Sequence, residues 1–228
     1  MKLSISMTRQ ETVGGWLFLA ISMFVLPSLF ILGSSLLATP LSATEINLLY
    51  FAVNFLCAGL IFRKFLVQSI KALFRKPWQC LKYAAIGYGV YQFASFLLGF
   101  AILWIRPDFS NVNDGSIAQM AGEHSALMAI ATVFLVPVYE ELFYRGLFFQ
   151  ELHRKNRWLA YCVSVFVFAS IHVMGYVGMY DPVTLLLCFV QYLPAGITLA
   201  WAYEKSGTIL VPMAMHILIN LIGFLYLR

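Results

Sequence analysis

Apolar residues in this chain come in long blocks, not in the short alternating runs of a water-soluble fold. Seven blocks approach or exceed the ~20 residues that an α-helix needs to cross a hydrocarbon core. They cover about 14–38, 46–62, 78–105, 125–152, 158–176, 183–203 and 209–227. The pattern predicts an all-α, polytopic transmembrane helical bundle of about seven spans. The first block follows a polar head with Lys2 and Arg9, as in a secretory leader, but its apolar stretch exceeds the ~7–15 residues of a leader core. A retained span is expected there.

Between the blocks, the segment 63–76 places Leu66, Ile70, Leu73 and Phe74 at helical spacing, with Lys64, Lys71 and Arg75 on another face. That predicts a short interfacial helix. The segment 106–124 is polar and contains Asn113-Asp114-Gly115, which reads as a turn. No repeat, low-complexity tract or separate soluble domain interrupts the chain, so residues 1–228 form a single integral membrane domain.

Composition narrows the function classes. Hydrophobic residues make up 61% of the 228 and charged residues 11%, against roughly 25% charged in a soluble domain. The chain cannot cover a water-facing surface with its own charge, and the bilayer is its implied partner. The net charge of +5 raises a nucleic-acid reading that the placement of the charges excludes. With the N-terminus inside, the inner segments hold Lys2, Arg9, Arg63, Lys64, Lys71, Arg75, Lys76, Lys82, Arg154, Lys155, Arg157 and Lys205, and the outer ones only Arg106 and Arg228. This asymmetry is the positive-inside pattern. Cys57, Cys80, Cys162 and Cys188 are far apart, without the spacing of a zinc knuckle or redox pair.

The polar residues inside the apolar blocks are the candidates for chemistry, because a charge at the bilayer centre costs roughly 2.5–3.5 kcal/mol on insertion scales. The fourth block holds Pro137, Glu140, Glu141 and Arg145, the fifth His172, and the seventh His216 and Asn220. At ~1.5 Å per residue, Glu140, His172, His216 and Asn220 lie about 18, 21, 12 and 18 Å from the inner ends of their spans. Similar depths on three helices point to one site. Glu141 and Arg145 are four apart and can pair along one face. Glu140 is turned by about 100° from Glu141 and is free of that pairing. Hydrolysis needs a base for water and donors for the oxyanion. Glu140 suits the base, His172 could share the water or protonate the leaving amine, and His216 with Asn220 could supply donors. Alternatively, two histidines and one or two glutamates could coordinate zinc, although no HExxH is present.

Three motifs carry a resemblance. Glu140-Glu141-Leu-Phe-Tyr-Arg145, Phe168-Ala-Ser-Ile-His172 and His216-Ile-Leu-Ile-Asn220 follow one another on three predicted spans. In this core, about 125–227, the chain resembles the CPBP family of intramembrane proteases, which includes CAAX prenyl endopeptidases and bacteriocin-processing relatives. The resemblance implies that Glu140 and His172 activate the attacking water. It implies that Glu141 and Arg145 support them, and that His216 and Asn220 form the oxyanion site. The family has been described as metal-dependent and as glutamate-dependent; the glutamate mechanism, with no cofactor, is the expectation, and zinc the alternative. The expected activity is cleavage of a membrane-associated peptide or protein tail, in a bacterial cytoplasmic membrane with the N-terminus inside. Nothing in the sequence requires that the substrate be prenylated. The rival readings are a non-catalytic immunity or scaffolding protein of the same fold and a small proton-coupled transporter.

Overall fold

The computed structural model describes residue 3 and residues 5–227; Lys2 and Arg228 of the charge pattern lie outside the described residues. Nine helices account for the described fold: α1 Arg9–Phe24, α2 Leu26–Ser35, α3 Ala43–Ile61, α4 Arg63–Arg75, α5 Pro77–Ile105, α6 Val112–His153, α7 Arg157–Met174, α8 Pro182–Ser206 and α9 Leu210–Tyr226. Their starts follow from side chains that satisfy the orphan N–H groups of a first turn. Thr8 with Glu11 and Ser42 with Glu45 form capping boxes for α1 and α3. Asn111, Asn156 and Asp181 cap α6, α7 and α8. Gly207 ends α8 at φ 71°, a left-handed conformation that glycine adopts without a Cβ clash.

Five helices (α3, α5, α6, α7 and α8) are long and apolar enough to cross a membrane, and α1 with α2 makes a sixth if the bent pair is one span. The apolar α9 is shorter, at 17 residues, and corresponds to the seventh predicted block. The surface is inverted relative to a soluble protein: on α5, Phe96, Phe100 and Trp104 are 71, 70 and 83% exposed. An apolar stripe of that size is stable only against lipid or another protein.

Two expectations are corrected. The first span bends by 46° at Val25. Pro27, in the first turn of α2, has no N–H and cannot continue the ladder of α1. Residues 113–115 are not a turn: Asn111 accepts from the N–H groups of Asn113 and Asp114 and starts α6 there. An Asn followed by an acidic residue suits a helix start as well as a turn, since both use the side chain as a backbone acceptor. The predicted boundary at residue 125 survives as a kink, where His124 leaves helical geometry (φ −137°, ψ 63°).

The segment 63–76 is helical as expected. Phe65 and Ser69 face the body, while Val67, Ile70 and Phe74 remain exposed along one side. In the core, α8 packs between α7 and α5, and α9 lies against α5, α6 and α8. Close approach relies on small residues, as membrane helix packing does: a Cβ on Gly196 of α8 would stand 3.0 Å from Val165 of α7.

Candidate active site

Helix α6 is wound irregularly where the site lies. Residues Ala131–Leu135 and Leu142–Phe149 are π-helical and flank Glu140 and Glu141. The first π segment follows from Pro137. Val136 donates to the carbonyl of Ala131, five residues back. The next donor in that register, for the Thr132 carbonyl, would be residue 137, which as proline has none. Asn220 of α9 fills the gap: its Nδ2 donates to Thr132 O at 2.8 Å. In the second π segment the hydroxyl of Ser164 donates to the Tyr144 carbonyl at 3.1 Å. π-bulges of this kind are frequent at functional sites.

Glu141 and Arg145 are fully buried and paired at 2.7 Å between Oε1 and Nη1. The same Oε1 accepts from His216 Nδ1 at 2.9 Å, so the His216 Nε2 points away from the pair, 3.9 Å from Glu140 Oε2. Arg145 also donates from Nη2 to the Gly196 carbonyl at 3.3 Å and stacks on the Phe168 ring at 4.3 Å. His172 donates from Nδ1 to the Phe168 carbonyl at 2.8 Å. A carbonyl only accepts, so Nε2 of the neutral ring presents a lone pair. The ring of Tyr192 stacks on that imidazole at 4.1 Å.

The predicted site residues thus divide into two layers. Glu140, His172, His216 and Asn220 line a cavity of about 900 Å³. Glu141 and Arg145 sit behind it, in contact with His216 and Phe168. Glu140 is only 5% exposed, and its Oε2 accepts no hydrogen bond from the protein; Glu141 Oε2 and Arg145 Nε are also without a protein partner. Buried polar atoms are normally satisfied, so three such atoms in one cluster mark it.

Two contributors were not recognised in the sequence: Gly196, which acts through its carbonyl, and Tyr192, which acts through its ring. Phe168, the first position of the second motif, gives its ring to Arg145 and its carbonyl to His172. A backbone acceptor carries no residue signature, and one tyrosine among twelve does not stand out. Catalytic zinc takes three protein ligands, and among the described residues no three of His, Cys, Asp and Glu converge as a ligand set.

No curated protein and no solved structure matches the chain. Residues 122–222, just under half of the chain, match the family described as type II CAAX prenyl endopeptidase Rce1-like. The matched region contains all six predicted site residues, the whole of α7 and α8 and most of α6. With helices long and apolar enough to cross a membrane, the chain is an integral membrane protein whose segment 122–222 is similar to the Rce1-like type II CAAX prenyl endopeptidases.

Proposed function

We propose that the protein is an endopeptidase that hydrolyses a peptide bond in a membrane-associated peptide or protein tail, using a water activated by Glu140 and His172. The observation that supports this most is Glu140 itself. It is a buried carboxylate with an unpartnered oxygen, on a large cavity that it shares with the lone-pair nitrogen of His172. Two acceptors on residues that line one space suit a water that donates to both. Glu140 takes one proton as the hydroxyl adds to the carbonyl carbon. The second N–H of the Asn220 amide donates to the oxygen that becomes anionic, as does His216 Nε2 whenever that ring carries both protons. Glu140 then passes its proton to the amine as the C–N bond breaks, which leaves one acid and one amine per water consumed.

The side-chain roles require no metal. The N-terminus is read as inside, on the placement of the basic residues.

The test is a comparison of membrane and secreted peptides from cells carrying the wild-type protein or Glu140→Ala. New termini that appear only with the wild type are expected. Identical peptide sets from both strains would overturn the protease reading.

A further inference from the structure

The cavity extends well beyond the candidate site, and only in one direction. Besides Glu140, His172 and His216 it is lined by Asn47 near the start of α3, by Asp114 and Glu123 in the first arm of α6, and by Tyr176 just past the end of α7. These all belong to one end of the bundle. The basic residues cluster at the other: Arg63 and Lys64 follow α3, Arg154 and Lys155 follow α6, Arg157 opens α7 and Lys205 closes α8. No lining residue comes from the turns that carry them.

The charge of the lining is one-sided. Among the described residues it contains three carboxylates (Asp114, Glu123 and Glu140) and no lysine or arginine. Among the described residues, the arginine at that end is Arg106, which is held by Asp181 at 3.3 Å and Asp108 at 3.7 Å. Carboxylates in a cleft with apolar walls focus a negative potential, because the low-dielectric wall screens little. A separate feature marks the space: Glu140, a side chain 5% exposed whose Oε2 has no protein partner, is one of its lining residues. The acidic arm is also coupled to the site. Asn111 accepts from the Asp114 N–H at 3.3 Å and from the Tyr192 hydroxyl at 3.3 Å, and the Tyr192 ring is the one stacked on His172.

We propose that the cavity admits its peptide from the end of the bundle remote from the basic loops, and that Asp114 and Glu123 select a segment carrying lysine or arginine beside the bond to be cut. This rests on the reading of the cavity as a peptidase site and names its substrate class: an apolar peptide segment with flanking positive charge. A segment flanked by carboxylates would meet like charge at the entrance, which costs affinity and slows association.

The experiment uses the full chain in detergent and three synthetic peptides. Each has the same apolar half, and the polar half carries a pair of lysines, alanines or glutamates. Binding by fluorescence anisotropy and cleavage by mass spectrometry are measured on the wild type, on Asp114→Asn with Glu123→Gln, and on the charge-preserving Asp114→Glu. The lysine peptide is expected to bind about tenfold more tightly than the alanine peptide at low salt, less so at high salt, with the glutamate peptide weakest. The double amide variant should bring the lysine peptide to within about threefold of the alanine peptide, while Asp114→Glu keeps the preference. Cleavage with no charge preference overturns this inference and leaves the peptidase reading standing. A charge preference without cleavage overturns the peptidase reading and leaves the selection by charge. A preference that survives the double variant, or no binding of any peptide, overturns the role of Asp114 and Glu123.

Discussion

Glu141 and Glu204 are both buried carboxylates that pair with an arginine and a histidine, yet the two clusters are finished differently. Glu204, in the last turn of α8, has both oxygens engaged. Its Oε1 accepts from His153 at 2.9 Å and Arg157 at 2.6 Å, and its Oε2 accepts from Arg157 and Tyr161, each at 2.9 Å. Glu141 accepts twice on Oε1, while its Oε2 and the neighbouring Glu140 Oε2 have no protein donor. The Glu204 cluster ties α6, α7 and α8 together at one end of the bundle and is complete. The Glu141 cluster lies mid-helix against the cavity and is incomplete where Glu140 meets it. Burial and ion pairing alone therefore do not mark a site; unsatisfied polar atoms beside a cavity do.

The largest effect that separates the two clusters is on turnover. Glu140→Gln is expected to lower single-turnover cleavage by about 10²–10⁴-fold, the usual contribution of a general base, with an unchanged melting temperature. Gln keeps the shape and loses only the basicity. Normal cleavage by this variant would remove the distinction at its root.

Next in size is the cost of opening the buried pair. Glu141→Gln leaves Arg145, which is fully buried, without its anion, and losing one partner of a buried pair costs about 3–5 kcal/mol. Melting temperature and activity should both fall, and adding Arg145→Gln should recover part of the stability. Early melting of Glu140→Gln with a stable Glu141→Gln would reverse the assignment.

Glu204→Gln sharpens the contrast from the other side. The arginine it deserts has a side chain 44% exposed, so water can replace the carboxylate. A loss of about 1–3 kcal/mol from the weakened hydrogen bonds is expected, seen as a lower melting temperature with kcat for the folded enzyme retained.

The smallest effect is one of pH. Asp181 caps α8 and is held down to about 2 by hydrogen bonds from the Thr184 hydroxyl and N–H, with Arg106 adding to them. Its folded value lies below its ordinary 3.8, so its contribution is present above that ordinary value and is lost as the pH falls towards 2. Melting curves recorded down this range should show a shallower acid decline for Asp181→Asn than for the wild type. A parallel decline would assign the acid limb to other groups.

The positions of the spans, the amphipathic segment 63–76 and the six polar residues inside apolar blocks were all legible in the sequence. Each rests on a local quantity: hydropathy over one helix length, spacing on one helix face, or the cost of a single charge in lipid. The pairing of Glu141 with Arg145 was legible for the same reason, being four residues apart on one helix. So was the rotation of Glu140 away from it, and the cavity lies on the Glu140 side.

What tertiary structure decided is everything that depends on a partner distant in sequence or on a backbone atom. The sequence placed His216 and Asn220 on one face, but their partners differ: His216 orients on Glu141, while Asn220 repairs the carbonyl that Pro137 leaves open in α6. Gly196 entered the site because its missing side chain lets α8 approach α7 and bring a carbonyl to Arg145. The acidic arm of α6 reads as a turn in isolation and becomes a helix once Asn111 caps it and is itself held by Gln191 at 2.7 Å. In a bilayer, local sequence dictates helix formation, because each segment must satisfy its own backbone. Which polar atoms meet is set by packing between helices, and no single segment encodes that.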